Sequence, residues 1–472
     1  MQNINDKKRT YIMINLIVTC IASSFLQTAL TTALPPMIQD LHISVSSGQW
    51  LTSGYSLAMG IMMPLTAFLI TRCPTKKLYV SAIGLFLVGL IVCIFASSFP
   101  MMMVGRILQA CSNGITTSMA QVVLLTIYPP EKRGTIMGWY GLSVGAAPVI
   151  APTIAGILVD TVGWRMIFII AGVVLFVSFL MAVSIFDNVL ETHIKKFDIT
   201  SFALSAFAFG GITLGMGNLS SMGITSATTF VPLIIGIAAG ILFTRRQLKL
   251  EEPFLNVRIL KVKGYRLSVI GSMMLYLVMM GSSVIMPLYV QTILGKSATI
   301  SGLVTLPGSL AMAIVSPFAG KIYDKFGMKR LAVAGSVMMT ISTIGMSFIG
   351  THTTIIIPAI LNMIRCIAIG CLMMPFVTFG ISSMGEEHTA DGTALLTSLR
   401  TIAGAIGTAV FVGILNVVSN SNAAMHYENA GIYGLHITFI CMTAVSILMI
   451  VGALSSDLRA DCGYRSKIKN LC

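Results

Sequence analysis

Apolar runs of about 20 residues recur from Tyr11 to the vicinity of Ser455, broken by short polar segments, and a bilayer core of roughly 30 Å needs about that many helical residues per crossing. Hydrophobic residues make up 56% of the 472 and charged ones only 10%. With a mean hydropathy of +0.90, that balance excludes a soluble globule with a polar surface. The expected fold is an all-α integral membrane protein with about fourteen crossings.

The formal charge of +14 raises nucleic acid as a partner, but the basic residues gather in alternate loops. Lys7, Lys8 and Arg9 precede the first crossing, Arg72, Lys76 and Lys77 follow the second, Lys132 and Arg133 the fourth, and Lys195 and Lys196 the sixth. Further clusters run from Arg245 to Lys263, from Lys321 to Arg330 and from Arg459 to Lys469. The opposite loops hold Lys296 and the boundary Arg165 and little else. By the positive-inside rule both termini are cytoplasmic, and the charge is topological, with no nucleic-acid partner. The nine scattered cysteines show neither a disulfide frame nor metal spacing, and no cofactor is implied. The first apolar stretch has no small-residue cleavage site and reads as a retained helix.

The charged stretch from Arg245 to Arg266 divides the chain. Residues 1–190 form a first six-helix bundle, 191–250 two inserted helices, 251–264 a cytoplasmic linker, 265–458 a second six-helix bundle and 459–472 a cytoplasmic tail. An internal repeat supports this division: PLTAFLITRCPTKKL, Pro64 to Leu78, aligns without gaps on PFAGKIYDKFGMKRL, Pro317 to Leu331. Each copy joins the second and third crossings of its half. Repeats of this parallel kind place a solute site between the halves near the midplane.

The chain resembles the fourteen-helix drug:proton antiporter branch of the major facilitator superfamily, especially its lincomycin-resistance-like members. GKIYDKFGMKR, Gly320 to Arg330, is similar to the superfamily's loop signature. QTALTTALP from Gln27, QWLTSGYSL from Gln49, GRILQACSNG from Gly105, APVIAPTIAG from Ala147, GWRMIF from Gly163 and LRTIAGAIGTA from Leu399 follow in the order the branch shows. The resemblance implies drug export by proton antiport. In the loop, Gly320, Asp324, Gly327, Lys329 and Arg330 are expected to form a conformational latch, with Asp324 among the cations of its own loop. The bland reading is a solvated carboxylate in a basic loop, since surface pairs contribute only about 0 to 1 kcal/mol. In the first-half copy Thr71 and Pro74 replace the Asp and Gly, so any latch there is weaker.

All sixteen acidic residues lie at or beyond the ends of apolar segments, while Arg106, Arg365 and Arg400 fall inside them. An isolated cation in hydrocarbon costs on the order of 2.5 to 3.5 kcal/mol, so these arginines face a bundle interior or a wet path. The family's fourth-helix motif implies a role in proton coupling for Arg106, which stays charged and therefore tunes a partner or binds an anion. The competing reading is a buried arginine satisfied by neighbouring carbonyls. Gln109 and Asn113 share its face. Arg365 and Arg400 are each either a substrate contact or a structural tie. Gly145, Pro148, Pro152 and Gly156 share one face of the fifth crossing and resemble the branch's antiporter motif, or else form an ordinary kinked packing helix. Where many members of the branch carry a first-helix Asp, this chain has Leu26, Gln27 and Thr28. Gln27 is a candidate contact, and Asp160, Asp324, Asp391 and His436 are the nearest titratable groups.

The expected function is export of small amphiphilic compounds across the plasma membrane by alternating access, with protons as counter-ion. The alternative is a proton-coupled importer on the same architecture. A membrane-embedded enzyme or a non-transporting receptor fits less well, because there is no HExxH, paired carboxylate or P-loop pattern and no sizeable soluble domain. Oligomeric state stays open, with a monomer sufficient.

Overall fold

The computed structural model describes residues 5–43, 45–190, 192, 197–222, 226–251, 253–296, 298–384, 388–424 and 430–455; the expected tail 459–472 and Lys195 and Lys196 lie outside them. In a bilayer only internally hydrogen-bonded segments are tolerated, so the apolar runs become helices. Fourteen α-helices of 19 to 36 residues are described, in the order α1 Asp6–Asp40, α2 Val45–Arg72, α3 Thr75–Ile94, α4 Phe99–Ile127, α5 Arg133–Thr161, α6 Arg165–Ile185, α7 Ile199–Met222, α8 Ala227–Lys249, α9 Lys263–Leu288, α10 Ala298–Phe326, α11 Met328–Met346, α12 Ile356–Ser382, α13 Thr389–Ala424 and α14 Ala430–Ser455. Twelve candidate membrane spans are found among the described residues; α5 and α11 fall outside that set. Prolines sit inside helices without ending them, at Pro35 and Pro36 of α1, Pro64 of α2, Pro307 and Pro317 of α10 and Pro375 of α12.

Buried polar side chains tie each bundle internally. Asn15 of α1 donates to the Ser178 carbonyl of α6 at 2.8 Å, and the Tyr79 hydroxyl of α3 donates to Asn15 at 2.9 Å. In the second bundle the Tyr265 hydroxyl of α9 donates to the Gly392 carbonyl of α13 at 2.7 Å.

The apolar core is divided unequally. One cluster lies in the first bundle at the end opposite the basic loops, around Leu30, Phe86, Trp164 and Phe168. A second lies within the second bundle, around Leu275, Met339, Leu372 and Phe439. The third joins both bundles at the basic end, running from Leu16, Tyr79 and Met137 to Val269, Val377 and Leu396. The bundles thus share a core at one end only.

α7 and α8 are pressed together at glycines: a Cβ on Gly211 would lie 2.6 Å from the Pro232 carbonyl. α7 packs on α2 of the first bundle and on α13 of the second. The segment between α8 and α9 docks on its neighbours. Phe254 stacks on Phe68 of α2 at 5.7 Å and meets Phe197 at 6.1 Å, and Gln247 accepts the Leu255 amide at 3.2 Å.

Candidate functional site

α4 carries the first interior cation. Arg106 is 1% exposed; its Nε donates to the Leu51 carbonyl of α2 at 3.3 Å, its Nη1 donates to Gln109 Oε1 at 2.9 Å, and its guanidinium lies 4.1 Å from the Tyr55 ring centroid. Gln109 Nε2 donates to Cys93 Sγ of α3 at 3.3 Å, and Asn113 Nδ2 donates to the Tyr55 hydroxyl at 2.8 Å. The three α4 residues do lie on one face, as their spacing requires. Carbonyl and amide dipoles and a π face hold the charge.

The second bundle treats its cations differently. Arg365 of α12, 4% exposed, donates Nη2 to Asn362 Oδ1, while its Nε and Nη1 are buried without hydrogen-bond partners. Arg400 of α13, 5% exposed, sits 4.9 Å from the Tyr276 ring centroid of α9, and its Nε and Nη1 are likewise unpartnered. Gly404 and Gly407 let α13 approach α9 closely: a Cβ on Gly404 would lie 2.9 Å from Met280 Cγ, and one on Gly407 would run into the Leu277 carbonyl. None of the three interior arginines is in a salt bridge with a described carboxylate.

The seam between the bundles runs along α5 and α10. A Cβ on Gly138 would lie 2.6 Å from the Ser316 carbonyl, one on Gly141 2.7 Å from Met374 Cγ, and one on Gly145 2.8 Å from Met312 Cε. Gly134 and Gly320 cross backbone to backbone. The small-residue face expected from Gly145 through Gly156 therefore begins three turns earlier, and Gly156 has open space beside it. Pro148 and Pro152 are helical in backbone. The Gly134, Gly138, Gly141 and Gly145 spacing was visible in the chain and is the signal that would have placed the seam.

Asp324 closes the basic end of that seam. Its carboxylate accepts the Gly134 amide at 2.9 Å, the Thr135 amide at 2.8 Å and the Thr135 hydroxyl at 2.6 Å. It caps the N-terminus of α5, where the helix dipole favours a negative charge. The expectation that Asp324 pairs with the cations of its own loop is corrected: Lys325 and Arg330 lie over the Phe326 ring at 5.3 and 5.7 Å, and Lys329 is partly buried at the start of α11. Gly327 has φ +78°, a conformation that favours glycine.

The other titratable candidates are scattered. Gln27 is exposed on α1 and Asp160 is exposed near the end of α5, while Asp391 is buried in the first turn of α13. His436 Nε2 lies 2.6 Å from the Ile349 carbonyl at the end opposite the basic loops. Among the described residues no group of three or more His, Cys, Asp or Glu side chains is gathered for a metal.

A family model described as Major Facilitator Superfamily matches residues 16–408. The chain belongs to the major facilitator superfamily. Its relatives include the lincomycin resistance protein LmrB of Bacillus subtilis, 34% identical over 452 residues and covering 94% of each chain. The uncharacterized MFS-type transporter YcnB of the same organism is 32% identical over 430 residues, 91% of this chain and 90% of that one. Among solved structures, the human organic anion transporter MFSD10 superposes with a TM-score of 0.68 at 12% identity over 95% of this chain and all of that one. The proton:xylose symporter XylE superposes at 0.63 with 14% identity, over 95% and 97%. These two likenesses establish the fold alone. As a major facilitator chain the protein is a multi-pass membrane transporter, and superfamily members are not enzymes.

Proposed function

We propose that this transporter exports drugs or similar small amphiphilic compounds across the plasma membrane by alternating access, with protons returning as counter-ion. The observation that carries alternating access is the unequal seam: one apolar core spans both bundles at the basic end, while the far end of the first bundle has a core of its own and the second bundle's own core runs its full length without joining the first. With the basic loops in the cytoplasm, this is an outward-facing arrangement latched by Asp324. The similarity to lincomycin resistance proteins supports drug export.

The same reading takes fourteen crossings and two cytoplasmic termini. α5 begins at Asp324 on the basic end, and α6 begins at the far end, where Arg165 reaches Asp40 and the Ala96 carbonyl. A 29-residue helix joining those ends covers about 43 Å, enough to cross. α11 links α10 to α12 in the corresponding way. The proposed coupling and solute contacts are Arg106, Gln109, Asn113, Arg365 and Arg400, and a monomer suffices.

Acid-interior everted vesicles test the reading. Adding a neutral lincosamide should alkalinise the lumen in vesicles holding the protein and not in empty ones. If the drug moves no protons, proton antiport is wrong; if it accumulates in the opposite direction, so is export.

A further inference from the structure

Arg106 shows how this fold can satisfy an interior guanidinium from within, with a carbonyl, an amide oxygen and a ring. Arg400 receives only the ring. Its Nε and Nη1 are buried and have no acceptor, and a buried cation left unpaired is strongly unfavourable. Asp391, on the same helix, lies nine residues earlier and so on the opposite side of α13.

The position of Arg400 sets it apart from Arg365, whose contact Asn362 is on its own helix. Arg400 meets Tyr276 of its own bundle and is within electrostatic reach of Tyr140 on α5 of the other. Tyr140 accepts from Gln121 Nε2 of α4 at 3.3 Å, which leaves Gln121 Oε1 buried and unpartnered. The hydroxyls of Thr393 and Thr397, on the same face of α13 in the turns before Arg400, are also buried without partners. Four helices from both bundles therefore contribute to one polar layer. At 1.5 Å per residue Arg400 is about 16 Å along α13 from its basic end, where the shared apolar core includes Leu396 and Met137.

The unmet groups are chiefly donors. A guanidinium has five N–H and no acceptor, and hydroxyls can turn to donate, so the completing group is rich in acceptors, as a carboxylate is. Tyr276 and, one turn along α13 at Gly404, Met280 supply ring and thioether surface. We propose that Arg400 is the carboxylate contact of a solute site between the bundles, and that this site takes monoanionic amphiphiles, a carboxylate on a compact apolar body. The assignment rests on reading the chain as a transporter that loads between its bundles.

The test is isothermal titration of the full-length protein in nanodiscs with 1-naphthoate, 1-naphthamide and 1-naphthylmethylammonium, which share a ring and differ in charge. Wild type should bind the naphthoate about tenfold or more tightly than the amide. Arg400→Ala should reduce naphthoate to the level of the amide and leave the amide unchanged. Arg400→Lys, which keeps the charge and loses the planar fork, should fall between, and it carries the test if Arg400→Ala fails to fold. Equal binding of the three probes, preference for the cation, or naphthoate affinity unchanged in the variants would overturn the assignment. The broader reading is tested apart: lincosamide transport without naphthoate preference removes the anion site and keeps export. Naphthoate preference weakened in Arg400→Lys, with no gradient-driven transport of any drug, does the reverse.

Discussion

The Asp324 carboxylate accepts the Thr135 amide 2.8 Å away, joining the last turn of α10 to the first turn of α5 across the boundary between the bundles. With the Gly134 amide and the Thr135 hydroxyl it makes three hydrogen bonds, all of which must break for the basic end to open. Hydrogen bonds to a charged group contribute about 1.5 to 3 kcal/mol each before mutual dependence is counted. Replacing Asp324 with Asn removes the charge and keeps one acceptor. The basic end should then open more often, by about tenfold or more in population. Labelling of single cysteines placed in the α5/α10 seam checks this; labelling at the wild-type rate would reduce Asp324 to a surface carboxylate.

Gly320 and Gly134 make a second, steric demand on the same closure. A Cβ at Gly320 would run into the Gly134 carbonyl, and two backbones cannot move independently of the helices that carry them. Overpacking of this kind costs about 1 to 3 kcal/mol. Gly320→Val should therefore favour the state open at the basic end and slow transport. Gly156→Ala, at a position with open space beside it, should transport as wild type. Parallel transport assays on the two variants separate seam packing from a general effect of glycine replacement.

Twelve of the helices were legible because apolar length decides what lipid accepts, and the prolines did not mislead because flanking turns tolerate them inside a bundle. Arg106 with Gln109 and Asn113 was also legible, since helical spacing puts them on one face. The partner of Asp324 was not. Its acceptor contacts are to backbone amides 189 and 190 positions away, and a backbone amide has no signature in a sequence. The nearby lysines and arginine looked like partners because adjacency in the chain was the only proximity available. Tyr55 and Tyr276 were missed for a related reason: an aromatic residue in an apolar run is indistinguishable from core until a guanidinium is seen over its ring.

Arg106 makes contacts that a lysine cannot reproduce, because Nε and Nη1 diverge to Leu51 and Gln109 while the flat face rests on Tyr55. Arg106→Lys should keep the charge yet lose at least one of these bonds, destabilising by about 1 to 3 kcal/mol. Arg106→Ala should abolish gradient-driven transport while folded protein stays in the membrane. Thermal unfolding in nanodiscs and vesicle transport, measured on both, check the two halves. Normal transport by a well-expressed Arg106→Ala protein would make the arginine a packing residue only.

At the far end Asp40 fastens α1 to α6, accepting from Arg165 Nη1 at 2.7 Å and from Trp164 Nε1 at 3.1 Å. The hydrogen bond from Arg165 is the main cause that holds the Asp40 carboxyl below its usual range. A carboxylate whose pKa is lowered on folding stabilises the fold above its unfolded pKa of about 3.9, and that contribution disappears as pH falls through the folded value. Both partners are partly exposed, at 42% and 46%, so the effect stays within the about 0 to 1 kcal/mol of surface pairs. Asp40→Asn should therefore be slightly less stable than wild type from about pH 5 upward. The two should converge below the folded pKa. Thermal unfolding of both proteins across that range measures the difference, and a gap that persists unchanged in acid would assign it to geometry in place of charge.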